Sequence, residues 1–233
     1  MFRHATVKRL MKRVAALQAE FAQSLEAFER SKLFSGPSVY FHKRTLKHLR
    51  NHKSAADALT DDSYLEALYA TLTAWGLHRM GPGNAKLLDF DNMRRNLRRC
   101  TDLIRALESY DLSNLDPLNV QQITRKLCTL LERARVSRAR TFLVSSTKAV
   151  HHLLPSLVPP VDHRYTLSFF FHNITLDGDN DQEVFSTIFP YFYEMAQSNA
   201  KLIRDAVGRG KMNTSESKII DNAIVGYCLG HVV

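Results

Sequence analysis

Long apolar runs are missing from this 233-residue chain. The most apolar stretch, Thr166 to Phe171, stops at His172-Asn173, short of the roughly 18 residues a membrane span requires, so no spanning segment is expected. Cysteine is scarce as well. Cys100, Cys128 and Cys228 lie far apart without a C-x-x-C pair, which excludes a zinc knuckle or iron–sulfur loop made from them alone and leaves reduced, partly buried thiols. The N-terminal MFRHATVKRLMKRVAAL is basic but has neither the apolar h-region nor the small-residue cleavage site of a secretory signal. Glu20, Glu26 and Glu29 continue the same helix and argue against removal as a mitochondrial presequence, so a cytoplasmic protein is expected. Alternating strand patterns, internal repeats and low-complexity linkers are absent too.

What is present is a basic, packed chain. Lys and Arg number 32 against 23 Asp and Glu, a formal net charge of +9, and 45% hydrophobic with 24% charged residues is the make-up of a folded domain. Apolar residues recur at helical spacing in Leu65, Leu68, Tyr69, Leu72 and Trp75, in Val120, Ile123, Leu127, Leu130 and Leu131, and in Ile220, Ala223, Ile224, Tyr227 and Cys228. The expected class is all-α, with residues 1–233 forming a single helical unit of two lobes. A long N-terminal helix over 1–31 carries Val7, Val14, Phe21 and Phe28 seven apart, with Leu10 and Leu17 between them. That stripe suits a helix lying on the body of a monomer, with self-association into a dimer as the alternative. Turn signals at Ser35-Gly36-Pro37, Gly81-Pro82-Gly83-Asn84, Ser113 to Pro117, Pro159-Pro160 and Asp177 to Asp181 divide the chain into roughly ten helices.

Basic residues cluster in residues 1–53, at Arg94, Arg95, Arg98 and Arg99, and at Arg133, Arg135, Arg138 and Arg140. Such clusters suit a polyanion, because each phosphate neutralised releases counterions; solvated helix faces are the plainer reading. The third cluster leads into residues 141–166, TFLVSSTKAVHHLLPSLVPPVDHRYT. A Ser145-Ser146-Thr147 turn opening a helix that carries Lys148 would offer backbone N–H groups to a phosphate. Pro159-Pro160 then force a sharp re-entry in which Asp162 caps a buried helix over 165–171.

This stretch, within a hairpin-like and catalytic segment over 118–172, resembles the helix-hairpin-helix DNA glycosylase superfamily. Pro160-Val161-Asp162 matches the motif that carries the family's essential aspartate, and Lys148 falls near the lysine of its Schiff-base-forming members. The hairpin glycines are replaced by Ser145-Ser146, and the interval from Lys148 to Asp162 is shorter than the family keeps. The resemblance implies an all-helical two-lobed DNA glycosylase acting on double-stranded DNA, with Asp162 catalytic and Lys148 either an attacking amine or a phosphate or salt-bridge partner. The missing cysteine set excludes the iron–sulfur branch, and neither a cofactor nor a metal is expected.

The chemistry agrees with those residue types. Breaking an N-glycosidic bond develops positive charge on the sugar, which a fixed carboxylate stabilises. A lysine of depressed pKa can attack C1′ and add strand cleavage. An extruded base needs an aromatic pocket with a cationic rim. Trp75, Tyr69, Tyr165 and Phe169 are pocket candidates with ordinary core packing as the alternative, and His151 is a further one with a surface or interhelix hydrogen bond as its alternative. Ser145, Ser146, Thr147, Arg138, Arg140, His163 and Arg164 are the candidate DNA contacts. The substrate class is a damaged base, or a hypermodified cytosine in phage DNA as a defence function. A non-catalytic DNA-binding module is the competing reading.

Other signals are weaker. His48 and His52 stand four apart on an expected helix, but the sequence shows no third ligand. Asp177, Asp179 and Asp181 imitate a calcium loop whose glycine and glutamate positions hold Gln182 and Ile188, so a loop of capping acids is expected. Gly81 to Lys86 lacks phosphate-loop spacing and reads as a turn, and Thr214 to Lys218 reads as the cap of a last helix.

Overall fold

A computed structural model describes residues 4–78, 80–81 and 84–231. Thirteen helices form among them, joined by short loops, and the class is all-α. Among the described residues, β pairing is confined to Met80–Gly81 antiparallel with Asn84–Ala85 and to one bridge between Leu87 and Ser137. No described helix is long and apolar enough to cross a membrane.

The expected single helix over 1–31 is instead two, α1 (His4–Ala19) and α2 (Phe21–Arg30), broken at Glu20, whose φ of −109° and ψ of 20° leave the helical region. The break lets each half bury its own stripe. Leu10, Val14 and Leu17 of α1 and Phe21, Leu25 and Phe28 of α2 are all buried within the chain, while the side chain of Val7 lies outside the described residues. Arg13 of α1 donates to the carbonyls of Ser168 and Phe169 at 3.1 and 2.8 Å, so part of the first basic cluster fixes helices together.

Next come α3 (Pro37–Leu49), the one-turn α4 (Ala55–Ala58) and α5 (Asp62–Leu72), with α3 packed along α5. Ser54, Asp61 and Asp89 cap α4, α5 and α6 (Phe90–Arg98) through side-chain oxygens, the usual answer to orphan N–H groups. α5 runs into a wide turn, Thr73–Leu77, which Gly76 breaks at φ 87°, a conformation that favours glycine. After α6 and α7 (Thr101–Arg105), α8 (Val120–Arg133) lies against α9 (Leu143–His151) and α11 (Asp181–Ser198), with α10 (Ser168–Phe171) and α12 (Ala200–Ala206) as short links.

The last helix, α13 (Glu216–Gly230), runs through the centre, with ten of its residues buried. It meets α2 at Gly226, where a Cβ would lie 1.7 Å from the carbonyl oxygen of Ser24, so only glycine permits this crossing. One continuous apolar core runs from Leu10 to Ile224, and a smaller group of Phe28, Tyr165, Met212 and Val225 stands beside it, flanked by Phe34 and Trp75.

Candidate active site

Asp162 and Lys148 line one cavity of 610 Å³, and the segments that build it are far apart in sequence. Its walls come from the turn before α3 (Phe34, Ser35, Ser38), the wide turn after α5 (Trp75 to His78), α9 (Val144, Lys148), the Pro160–Tyr165 re-entry, and α13 (Lys218, Asp221). A second cavity of 680 Å³ adjoins it and shares Leu77, Lys86, Val144 and His163 with the first.

Asp162 stands where the sequence places it. It is extended, at φ −126° and ψ 161°, and caps the turn His163–Leu167 by accepting from the Tyr165 N–H at 2.6 Å. Its own N–H donates to Thr166 Oγ1 at 3.3 Å, so the carboxyl is held at both its backbone and its side chain. The helix it opens ends at His172, whose φ is 65°.

Lys148 departs from expectation. It lies in the last turn of α9, half-buried, rather than at the helix start. The Ser145-Ser146-Thr147 phosphate cradle is also corrected. All three residues are buried inside α9: Ser145 Oγ meets Ser137 Oγ at 2.9 Å, Ser146 Oγ donates to Ala134 O at 3.3 Å, and Thr147 Oγ1 donates to Leu143 O at 2.8 Å. The N–H groups that open α9, those of Phe142 and Leu143, donate to the buried Asp181 at 2.6 and 2.9 Å. An internal carboxylate thus occupies the position at which an anion would bind. Asp181 is a capping acid of the 177–181 loop, and Asp177 accepts from the Asp179 and Asn180 N–H groups at 3.0 Å.

The aromatic candidates divide. Trp75 and Tyr165 line the cavity. The Tyr165 hydroxyl is buried without a hydrogen-bond partner, and it belongs to a residue of the cavity wall. Tyr69 and Phe169 are elsewhere: Tyr69 donates to Leu88 O at 3.0 Å and packs on Phe90, while Phe169 is fully buried against Phe170 and Tyr227. Both belong to the core, which the apolar helical spacing that nominated them equally describes. His151 is sealed behind Trp75 with Nδ1 2.8 Å from Val158 O.

Of the basic candidates, Arg138, Arg140, His163 and Arg164 are all exposed. Arg140 is paired with Asp179, Arg164 lies over the Tyr165 ring, and His163 Nε2 stands 3.1 Å from Ile174 O. The Arg94–Arg99 cluster lines a separate surface hollow with Asp91, but Arg94 and Arg98 are bound to Asp62 at 2.9 Å. Much of that charge is internally balanced.

The largest feature that sequence reasoning missed is on α13. Lys218, read as part of a cap, is 2% exposed, and its Nζ donates to Asp221 Oδ2 and Asn222 Oδ1 at 2.6 Å each. The rings of Phe34, Phe28 and Trp75 surround the ammonium at 5.3, 5.7 and 6.0 Å. Burial pushes the Asp221 carboxyl above its ordinary range, with Lys218 opposing and Asp162 adding to the rise. The signal was present: Lys218, Asp221 and Asn222 share one face of a helix otherwise made of Ile219, Ile220, Ala223 and Ile224.

Two histidines form a relay behind the Trp75 wall of the cavity. His152 Nδ1 lies 2.7 Å from Lys148 O, a pure acceptor, so it carries the proton and leaves Nε2 to accept. His42 Nδ1, 2.9 Å away, then donates to that Nε2, and His42 Nε2 accepts from Thr214 Oγ1 at 2.8 Å. Burial, reinforced by the neighbouring histidines, holds His42 well below its ordinary value, and burial takes His152 down to about 4. The His42 ring stacks on Trp75 at 5.1 Å, so this relay ties α3, α9 and the wall of the cavity together. The cysteines stay protonated: burial pushes Cys100 up to about 11, and burial together with the Asp162 carboxylate pushes Cys228 up to about 12.

No family model, curated protein or solved structure matches the chain.

Proposed function

We propose that this chain is a helix-hairpin-helix-type DNA glycosylase, with that family's two-lobed arrangement, that cleaves the N-glycosidic bond of a modified or damaged base in double-stranded DNA. The observation that carries the reading is the convergence of Asp162, Lys148, Trp75 and Tyr165 on one cavity of 610 Å³. The resemblance over residues 141–166 supports it independently. In this reading the extruded base enters beside Trp75 and the Tyr165 side chain. Asp162 stabilises the cationic sugar and orients water toward C1′. The C1′–N bond breaks, its electron pair leaves with the base, the water oxygen becomes the sugar hydroxyl of an abasic site, and the proton the water loses passes to Asp162 and on to the departing base.

Lys148 serves as an auxiliary cation or as an amine that forms a Schiff base at C1′. With the start of α9 closed by Asp181, the phosphate contacts fall to exposed groups, namely Arg138, His163, Arg164 and the cavity-lining Lys86. The adjoining 680 Å³ cavity leaves room for a base with a bulky substituent, so a hypermodified cytosine stands beside simple lesions as a substrate to test.

The test is base release from host DNA, damaged duplexes and glucosylated phage DNA, with abasic sites counted before and after alkali and Asp162→Asn in parallel. Abasic sites that fall at least about a hundredfold in the variant are expected. Salt-dependent DNA binding that is equal in both proteins, with no base released from any substrate, overturns the proposal in favour of a non-catalytic DNA-binding module.

A further inference from the structure

Away from this cavity, the turn that ends α3 brings His48 and His52 to Asp61, the residue that caps α5. His52 is not on the helix as its spacing suggests: α3 ends at Leu49, and the following turn swings the second imidazole back toward the first. His48 Nε2 and His52 Nε2 each lie 3.2 Å from the same oxygen, Asp61 Oδ2, and the three atoms fall within 4.8 Å of one another. The other oxygen, Oδ1, is engaged by the Ser63 N–H at 2.9 Å, which fixes the direction of the carboxylate.

These distances have a specific meaning. A zinc-class ion bound at about 2.0–2.1 Å separates adjacent tetrahedral ligands by about 3.3 Å, so two 3.2 Å edges meeting at a carboxylate oxygen suit such an ion. A hydrogen-bonded triad suits them less well, because the His52 Nε2 is buried and forms no hydrogen bond despite its short contact with Asp61. The other nitrogen of His52, Nδ1, stands 3.7 Å from Asp57 Oδ2, close to the carboxylate–histidine arrangement that orients metal-bound imidazoles. Both rings also lie edge-on to the buried Tyr64, at 6.0 and 6.1 Å, which restricts their rotation.

We propose that His48, His52 and Asp61 form a binding site for a divalent zinc-class cation, with water as the fourth ligand, clamping the end of α3 to the start of α5. Two imidazole nitrogens and one carboxylate oxygen select zinc, or cobalt(II) as its surrogate, over the all-oxygen environments preferred by calcium and magnesium. The site draws on no residue of the proposed glycosylase cavity, and the two proposals can fail separately.

The experiment is titration of the chelator-treated 233-residue chain with zinc by calorimetry and with cobalt(II) by visible absorption, in the wild type, His52→Gln, Asp61→Asn, Asp57→Asn and Asp162→Asn. Asparagine at 61 keeps the cap on Ser63, and circular dichroism checks that each variant is folded. One equivalent of metal, a tetrahedral cobalt spectrum, and Tm raised roughly 5–10 °C at a hundredfold excess over Kd are expected for the wild type and Asp162→Asn. Affinity falls at least about a hundredfold in His52→Gln and Asp61→Asn, and about tenfold in Asp57→Asn. Absence of saturable one-to-one binding, or wild-type affinity in folded His52→Gln and Asp61→Asn, overturns the site.

Discussion

Two of the lysine-bearing walls of the cavity, those on α9 and α13, are built on opposite principles. On α9, Lys148 is half-buried in a segment whose motif marks it out, and its backbone carbonyl is what the histidine relay grips. On α13, Lys218 is sealed by Asp221, Asn222 and three aromatic rings, with no motif to announce it. One wall presents an amine to the cavity; the other uses an ammonium to hold a buried carboxylate next to Asp162. The difference teaches that a cation beside a candidate site is defined by how it is set into its helix: Lys218 is sealed into the wall and holds a buried carboxylate, whereas Lys148 lines the cavity from the last turn of α9.

That contrast is broken most directly at Lys218. Lys218→Ala leaves Asp221 buried without its counter-ion, and a loss of ~3–5 kcal/mol is expected at pH 7 in urea unfolding. The loss shrinks toward pH 5, because without Lys218 the Asp221 carboxyl, already raised by burial, takes up a proton. Lys218→Met combined with Asp221→Leu is expected to recover at least half of it. A double variant no more stable than Lys218→Ala would show that the pair is not what the position supplies.

Next in size is the backbone crossing that sets α13 in place. Gly226→Ala forces a methyl to 1.7 Å from Ser24 O and 3.0 Å from Phe28 N, both backbone atoms that cannot rotate away. A loss of about 3 kcal/mol is expected, read in the same unfolding experiment.

A third effect is set by pH. The folded His152 titrates near 4, against about 6.5 when unfolded, so between these values the unfolded chain binds the extra proton. Stability contributed by the neutral histidine is therefore full above about pH 6.5, falls as pH drops through that value, and is gone near 4. About 2 kcal/mol is expected to be lost at pH 5 from His152 alone. His42→Gln should make the decline shallower, since a second depressed histidine is removed. An unfolding free energy flat from pH 7 to 5 would contradict the relay.

How much of this was legible in the sequence depends on how local the physics is. Helical periodicity gave the all-α class, and two prolines followed by Asp162 gave the capped re-entry, since both rest on neighbours along the chain. The break at Glu20 was invisible because the heptad stripe runs through it, and the close crossing of α2 by α13 joins Gly226 to Ser24, some two hundred residues away. The Ser145–Thr147 cradle failed on a distant residue as well: Asp181, assigned to its own loop, closes the start of α9. Tyr69 and Phe169 could not be told from core because aromatic residues at helical spacing look the same in either role. The same limit hid Asp61 from His48 and His52, for the third ligand is supplied by a different helix's cap.

The smallest expected effect bears most closely on chemistry. A half-buried lysine contributes little to stability even where it forms an ion pair, so Lys148→Gln should change the unfolding free energy by less than ~1 kcal/mol. Any strand breaks that wild-type protein makes before alkali, and any borohydride-trapped protein–DNA adduct, should vanish in this variant while alkali-revealed abasic sites continue to form. That outcome would separate the proposed amine from the carboxylate proposed to support base release, because Asp162→Asn is expected to remove both products together. Trapped adduct persisting in Lys148→Gln would move the amine to one of the cavity's other lysines, Lys86 or Lys218 on α13. Lys218 could then attack only after giving up the two hydrogen bonds that hold it to Asp221 and Asn222, and the contrast between the two walls would be reversed.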